Sequence, residues 1–312
     1  MSDSDFKKKR IEYLNNWPNS EAFDIEKKYW DRVSDIKQEN KTIFKPFQLV
    51  TNSDDEYNKV VSFIIDALNQ LEYYPNFSFE FMFKAYDCIQ DKYHTNIKTI
   101  TDKNKLLCDN ELSDVITGHA KLKASFQELF EVIPVTACQY LYIKITDHSD
   151  DNQPYKRVTT DVSGGSNSDS IKRKEIVDAI EQKYGVGDYA TTIRKASLLY
   201  RYILKNCSVN IDKVYSVVTS DKLHFLMSGF LYTMRNDIMH GSSMTFTKSS
   251  LASLRTYASS YYAFLLIYYF TMVLVIGNFS GDYPVDVYDQ LADNIDENVK
   301  LYRCLFKKSI EE

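Results

Sequence analysis

The sequence predicts an all-α protein, and three observations carry that prediction. The 312 residues include only nine glycines and six prolines, where average usage of the two together would be about 12%. Sheet-rich folds spend both residues on turns, so their scarcity favours long helices with few breaks. Hydrophobic residues make up 44% of the chain, which is enough for a large core. Apolar residues also recur at helical spacing along most of the sequence.

The first 56 residues are polar and are predicted to form an N-terminal arm. Ala22, Ile25, Tyr29 and Val33 recur at helical spacing, so one amphipathic helix is expected within the arm, over residues 21–38. The basic cluster near the N-terminus is followed by the mixed segment 11–16 instead of the apolar run that a signal peptide needs. A cytoplasmic location is therefore expected.

A helical domain interrupted by one loop is predicted over residues 57–312. Residues 147–170 are dense in Asp, Ser, Asn and Gly, which predicts a long flexible loop. Residues 111–142 give mixed signals around Pro134, so a helix, a break and then a second helix or short strand are expected. Apolar spacing predicts a helix from Asp54 that ends before Pro75, and further helices over 77–89, 171–184, 188–206, 221–240, 248–277 and, as an extra C-terminal helix, 286–307.

Residues 256–280 carry no charged side chain, which meets the length criterion for a membrane span. Against a span, Tyr268 and Tyr269 lie near the middle of the segment, where the aromatic belts of membrane helices do not occur. A helix surrounded on all sides by other helices has the same uniform apolarity. The segment is therefore predicted to be a buried central helix, with no membrane contact.

Charge and motif content exclude several classes of function. A net charge of −5 excludes nucleic-acid binding through bulk positive charge, although a local basic face is compatible with it. The five cysteines form no C-x-x-C pair, and four of the five histidines share no metal-ligand spacing with each other or with a cysteine. Glycine motifs for nucleotide phosphates are missing from the sequence. No metal and no cofactor are expected.

The most informative segment contains Arg235, Asn236, Asp237, His240 and Gly241. A helix places Asn236 and His240 on one face with Arg235 beside it, and Gly241 can end the helix just after His240. An imidazole accepts and donates protons near neutral pH, and a guanidinium fork binds phosphate oxygens. These residues predict a phosphodiester cleavage site. On spacing alone, the more ordinary explanation is that Arg235 pairs with Asp237 or a neighbouring carboxylate and that His240 caps the end of the helix.

In its wider context the motif resembles that of a known superfamily. The pattern R-N-x-x-x-H-G at the end of a helix, followed by a long apolar helix, looks like the signature of the HEPN superfamily (higher eukaryotes and prokaryotes nucleotide-binding). These small helical bundles include ribonuclease toxins and phage-defence effectors. The aromatic-rich segment 77–87 is similar to the first core helix of several members. The resemblance covers about residues 57–95 and 221–280, and the long insertion between these regions departs from the commonest pattern.

The resemblance implies a HEPN-like bundle that is a metal-independent endoribonuclease, leaves 2′,3′-cyclic phosphate ends and acts as a toxin or anti-phage effector. It implies that Arg235 and His240 are the catalytic pair, that Asn236 orients the site and that Asp87 is an acidic partner from a facing helix. The family typically joins two such motifs, so a homodimer is expected, with a cognate inhibitor or sensor protein as a further partner. The alternative is a non-catalytic HEPN-like module that recognises a protein partner or a nucleotide.

Residues 171–205 are locally basic, with eight basic residues against four acidic ones. Arg194, Arg201 and Lys205 fall on one helix face, and such a face can follow an RNA backbone. A solvated surface helix explains the same pattern equally well. The two helices around residues 185–187 also fit, less well, a helix-turn-helix DNA reader.

Overall fold

The computed structural model of the chain describes residues 3–39, 41–146, 151–185, 188–241 and 252–310. Within these residues the fold is all-α, as predicted, with one antiparallel hairpin of strands β1 (Ser208–Asn210) and β2 (Val214–Ser216). A π-helix (His224–Leu231) and short 3-10 turns complete the secondary structure. The α-helices are α1 (Asp3–Asn16), α2 (Asp24–Gln38), α3 (Asp55–Gln70), α4 (Pro75–Gln90), α5 (Ile100–Asp109), α6 (Glu111–Gly118), α7 (Ala120–Glu131), α8 (Val135–Ile145), α9 (Gln153–Thr159), α10 (Ser168–Tyr184), α11 (Tyr189–Lys205), α12 (Thr219–Leu223), α13 (Tyr232–Met239), α14 (Leu254–Asn278) and α15 (Val287–Phe306).

Helix α14 forms the centre of the core. It is long and apolar enough to cross a membrane, yet the rest of the chain buries 94% of its most apolar 18-residue window. Helix α4 packs along α14 and pairs with α3 on its other side, while α15 packs against α7 and α14. The prediction of a buried central helix is confirmed.

The N-terminal residues are more than a polar arm. Helix α2 corresponds to the predicted amphipathic helix, but Ile43 and Phe47, which follow it, are buried in the same core as α14. Their backbone is held by tyrosines of α14: Tyr261 donates to the Ile43 carbonyl (2.6 Å), and the Phe47 amide donates to the Tyr268 hydroxyl (2.8 Å). The predicted arm therefore packs against the core at this point, through apolar residues that are too few to give a periodic pattern.

The predicted loop over residues 147–170 contains helical structure. Residues 147–150 lie outside the described residues, and the rest includes α9, a 3-10 turn (Val162–Gly164) and the start of α10 at Ser168. The Asn152 side chain accepts from the Tyr155 amide (2.8 Å) and so caps α9, and Val158 is fully buried. Polar composition misled the prediction because the polar side chains here cap the helices and cover their outer faces.

Two other predicted segments are divided differently in the structure. Residues 111–142 form three helices, with a break at His119 in addition to the one at Pro134. Residues 221–240 form a continuous helical segment whose middle part is the π-helix. A π-helix holds one more residue per turn than an α-helix and occurs often at functional sites.

Candidate active site

The motif helix ends where the sequence predicts. The amides of His240 and Gly241 bond to the carbonyls of Asn236 (3.0 Å) and Ile238 (3.1 Å), which closes α13. Gly241 has a φ of +62°, in the left-handed region that favours glycine. His240 is the exposed C-cap residue that directly follows Met239, the last residue of α13. The ten residues after Gly241 lie outside the described residues.

Arg235 lies between two of its predicted partners. Its Nη2 atom is 3.5 Å from Oδ2 of Asp87 on α4, and its Nη1 atom donates to Oδ1 of Asn236 (3.2 Å). The Arg235 and Asp87 side chains are 25% and 28% exposed, so both can be reached from solvent. The structure thus brings Arg235, Asn236 and Asp87 together, with His240 at the end of the same helix.

The observed contacts agree with one form of the more ordinary explanation: Arg235 pairs with the carboxylate of Asp87 and not with Asp237, and His240 is the C-cap residue of α13. Asp237 instead accepts from the Tyr140 hydroxyl (2.7 Å) and pairs with Lys144 (2.8 Å), both on α8. Asp237 therefore ties α13 to α8, and Arg235 is directed to the opposite neighbour, α4.

Asp87 has an unusual environment for a carboxylate. Burial raises the pKa of Asp87 to about 6, the charge of Asp91 adds to this effect, and the charge of Arg235 opposes it. Its Oδ1 atom is buried and has no hydrogen-bond partner among the described residues. A carboxyl with these properties changes its charge near neutral pH, which is common for groups at functional sites.

Aromatic rings support the Arg235 side chain. Its guanidinium lies 5.9 Å from the ring centres of both Phe83 and Tyr232, within the range of cation–π attraction. On the Tyr232 ring lies a second guanidinium, that of Arg157, at 5.1 Å. Arg157 is buried and donates to the Thr233 hydroxyl (2.7 Å), so it fixes the start of α13.

Sequence reasoning missed Arg157 because it assigned the residue to a loop. A usable signal was present: Asn152 followed by Pro154 is a typical start of a helix, with a capping side chain and a proline in the first turn. A helix that begins at this signal includes Arg157 and Val158 within its first two turns.

The predicted basic face is split in the structure. Arg201 and Lys205, near the end of α11, line a groove together with residues from the end of α15. Arg194 is exposed about two turns earlier on α11 and does not line that groove.

Within the described residues, no group of three or more His, Cys, Asp or Glu side chains is arranged to hold a metal ion. No protein-family model, curated protein or solved structure matches the chain. The resemblance to the HEPN superfamily therefore rests on the motif from Arg235 to Gly241 and on the helices around it.

Proposed function

We propose that the chain is a metal-independent endoribonuclease whose site consists of Arg235, His240, Asn236 and Asp87. One observation carries the proposal: Arg235 is held by Asp87 and Asn236 at a partly exposed position on α13, and the exposed His240 follows the end of that helix. A phosphate-binding fork and a proton-transfer group on one helix end are the parts that metal-free RNA cleavage requires.

In the proposed reaction the ribose 2′-oxygen attacks the adjacent phosphorus and gives its proton to a base. The bond from phosphorus to the 5′-oxygen breaks, and that oxygen takes up a proton. The products are a 2′,3′-cyclic phosphate and a 5′-hydroxyl end, and no water is consumed. His240 accepts the first proton or supplies the second, and Arg235 stabilises the charge that develops on the phosphate oxygens.

Asp87 positions Arg235 in this scheme. An ion pair at 3.5 Å is long compared with a charge-assisted hydrogen bond of about 2.7–2.9 Å. A phosphate that offers two oxygens to the guanidinium can therefore compete with Asp87, while the rings of Phe83 and Tyr232 keep the side chain in place.

The proposed enzyme is a cytoplasmic homodimer that acts as a toxin or an anti-phage effector under the control of an inhibitor or sensor protein. His240 is exposed, and Met239 beside it is 55% exposed, so a second copy can approach this helix end directly. A two-fold axis there would bring two Arg–His sets together.

The second candidate is a non-catalytic module that recognises a protein partner or a nucleotide. The contacts of Arg235 with Asp87, Phe83 and Tyr232 favour it, because they stabilise the packing of α13 on α4 without any chemistry.

RNA cleavage by purified variants separates the two candidates. We expect His240→Ala to lose about 10²- to 10⁴-fold in cleavage rate, as is typical when a proton-transfer group is removed, while its circular dichroism stays unchanged. Arg235→Lys keeps the charge but loses the two-pronged geometry, so it should also be strongly impaired. His119→Ala, which changes an exposed histidine between α6 and α7, is the matched control and should cleave normally.

The cleavage should persist in excess EDTA and leave cyclic phosphate ends. A folded His240→Ala protein that cleaves RNA at the wild-type rate, or activity that EDTA abolishes, would contradict the proposal and favour the binding module.

A further inference from the structure

A basic groove of about 450 Å³ lies between the C-terminal ends of α11 and α15. This volume is within the range of about 300–1,000 Å³ that is usual for ligand sites. Five cationic side chains line it against a single carboxylate, Glu131, although the whole protein carries a net charge of −5. The five are Arg201, Lys205, Arg303, Lys307 and Lys308.

Several of these cations lack strong partners within the chain. Lys307 and Lys308 have no carboxylate within ion-pair distance among the described residues. Arg303 pairs with Glu128 at 3.1 Å, but both side chains are about half exposed, so solvent weakens the pair. The Nε atom of Arg201 is buried and has no hydrogen-bond acceptor among the described residues. The groove therefore holds positive charge that carboxylates of the described residues neutralise only in part.

The positive surface continues into a second groove of about 710 Å³. The two grooves share Glu131 and Lys205, and the second adds Lys123 and Lys222. Lys222 is only 4% exposed, and its Nζ atom donates to the neutral side-chain oxygen of Gln127 (2.8 Å). The two grooves therefore adjoin at Glu131 and Lys205, and cations line both of them.

Helix dipoles explain only part of this arrangement. A cation in the last turn of a helix is stabilising by itself, which accounts for one basic residue at each helix end. It does not account for basic side chains of α11 and of the residues after α15 that line one shared groove. Basic side chains from two helices that line one groove favour a polyanion, such as a phosphodiester backbone, as its ligand.

We propose that this basic groove binds the phosphodiester backbone of the RNA that the candidate active site cleaves. This inference rests on the proposed function. It extends the predicted Arg201–Lys205 face to the C-terminal residues Arg303, Lys307 and Lys308 and leaves Arg194 out.

RNA binding by the full chain tests the inference. All proteins carry His240→Ala to prevent cleavage, and the probe is a fluorescent, unstructured single-stranded RNA whose anisotropy is followed at several salt concentrations. We expect Lys307→Gln/Lys308→Gln to raise Kd about tenfold and to reduce the slope of log K against log salt by about one per lysine. Lys8→Gln/Lys28→Gln makes the same change of charge on exposed lysines of α1 and α2 and should leave both quantities unchanged.

Cleavage by the same double variants with His240 intact separates failure of the groove from failure of the proposed function. We expect the groove variant to raise KM while kcat stays near the wild-type value. If the groove and control variants cleave RNA with equal KM and bind it with equal affinity, the groove does not bind RNA. The proposed function is unaffected by that result. RNA binding that depends on the two lysines without any cleavage by the wild type overturns the proposed function and supports the groove as an RNA-binding surface.

An acidic protein is the other macromolecule that such a groove can attract. A fluorescent polyglutamate peptide added to the same assay therefore serves as a second probe. If the peptide binds in a way that depends on Lys307 and Lys308 while RNA does not bind, the RNA inference is overturned.

Discussion

Replacement of Asp87 by asparagine should stabilise the protein at alkaline pH, although it removes half of an ion pair. Burial raises the pKa of Asp87 to about 6 in spite of Arg235, whereas an exposed aspartate has a value of about 3.9. The native carboxyl therefore holds its proton more tightly than the unfolded one, so the native state loses stability as the pH rises from about 4 through 6. A shift of about two pKa units corresponds to about 3 kcal/mol, of which about 2 kcal/mol develops between pH 4 and pH 8.

Urea denaturation of the wild type and of Asp87→Asn at pH 4, 6 and 8 measures this effect. Between pH 4 and pH 8, the difference in unfolding free energy between the variant and the wild type should change by about 2 kcal/mol in favour of the variant. Other titrating groups cancel in the difference, including His224, whose pKa is lowered by burial. Asp66→Asn, which changes an exposed carboxylate on α3, is the matched control and should not reproduce this gain.

The opposite trend would refute this reasoning. If Asp87→Asn loses stability relative to the wild type as the pH rises, the attraction between Asp87 and Arg235 outweighs the cost of burial. The Asp87–Arg235 ion pair would then stabilise the native state, and burial of the Asp87 carboxylate would not be a net cost.

Two further substitutions test the packing behind the site. Gly229→Ala would place a Cβ atom 2.7 Å from Cδ1 of Leu141, so we expect the free energy of unfolding in urea to fall by about 1–3 kcal/mol. In the control Gly118→Ala the new Cβ atom meets open space, so the free energy of unfolding should change by less than about 0.5 kcal/mol. Equal stabilities of the two variants would contradict the close packing of the π-helix. Arg157→Met removes the buried donor that holds the start of α13, so the unfolding free energy should fall by about 1–3 kcal/mol and any RNA cleavage should slow, whereas the exposed neighbour Lys156→Met should leave both unchanged.

The parts of the fold that the sequence predicts well are those whose periodicity is long. Helices α3, α4, α11, α14 and α15 each run for at least 16 residues, so their apolar pattern repeats several times. Helix α9 has seven residues and one fully buried apolar side chain, Val158. No periodic signal can exist over that length, and its position is set by contacts with the π-helix.

In the candidate site, too, the sequence predicts the local features but not the contacts between distant residues. The spacing from Arg235 to Gly241 predicts the helix end and the left-handed glycine, because both depend on local geometry. The facing residue Asp87 came only from the resemblance, since the pairing of α4 with α13 joins residues 148 positions apart. The contact of Arg157 with Tyr232 depends on tertiary structure alone, and no local pattern encodes it.

The central position of α14 has a consequence for how the chain is made. The aromatic helix α4 leaves the ribosome about 160 residues before α14, one of its two main packing partners. At about 5–20 residues per second, roughly 8–32 s pass before the two can dock. During that time α4 can pack against α3 but not against α14, and α14 then emerges with the composition of a membrane span. The risk of aggregation or mistargeting for this fold therefore lies in its synthesis, where chaperones act, and not in the finished protein.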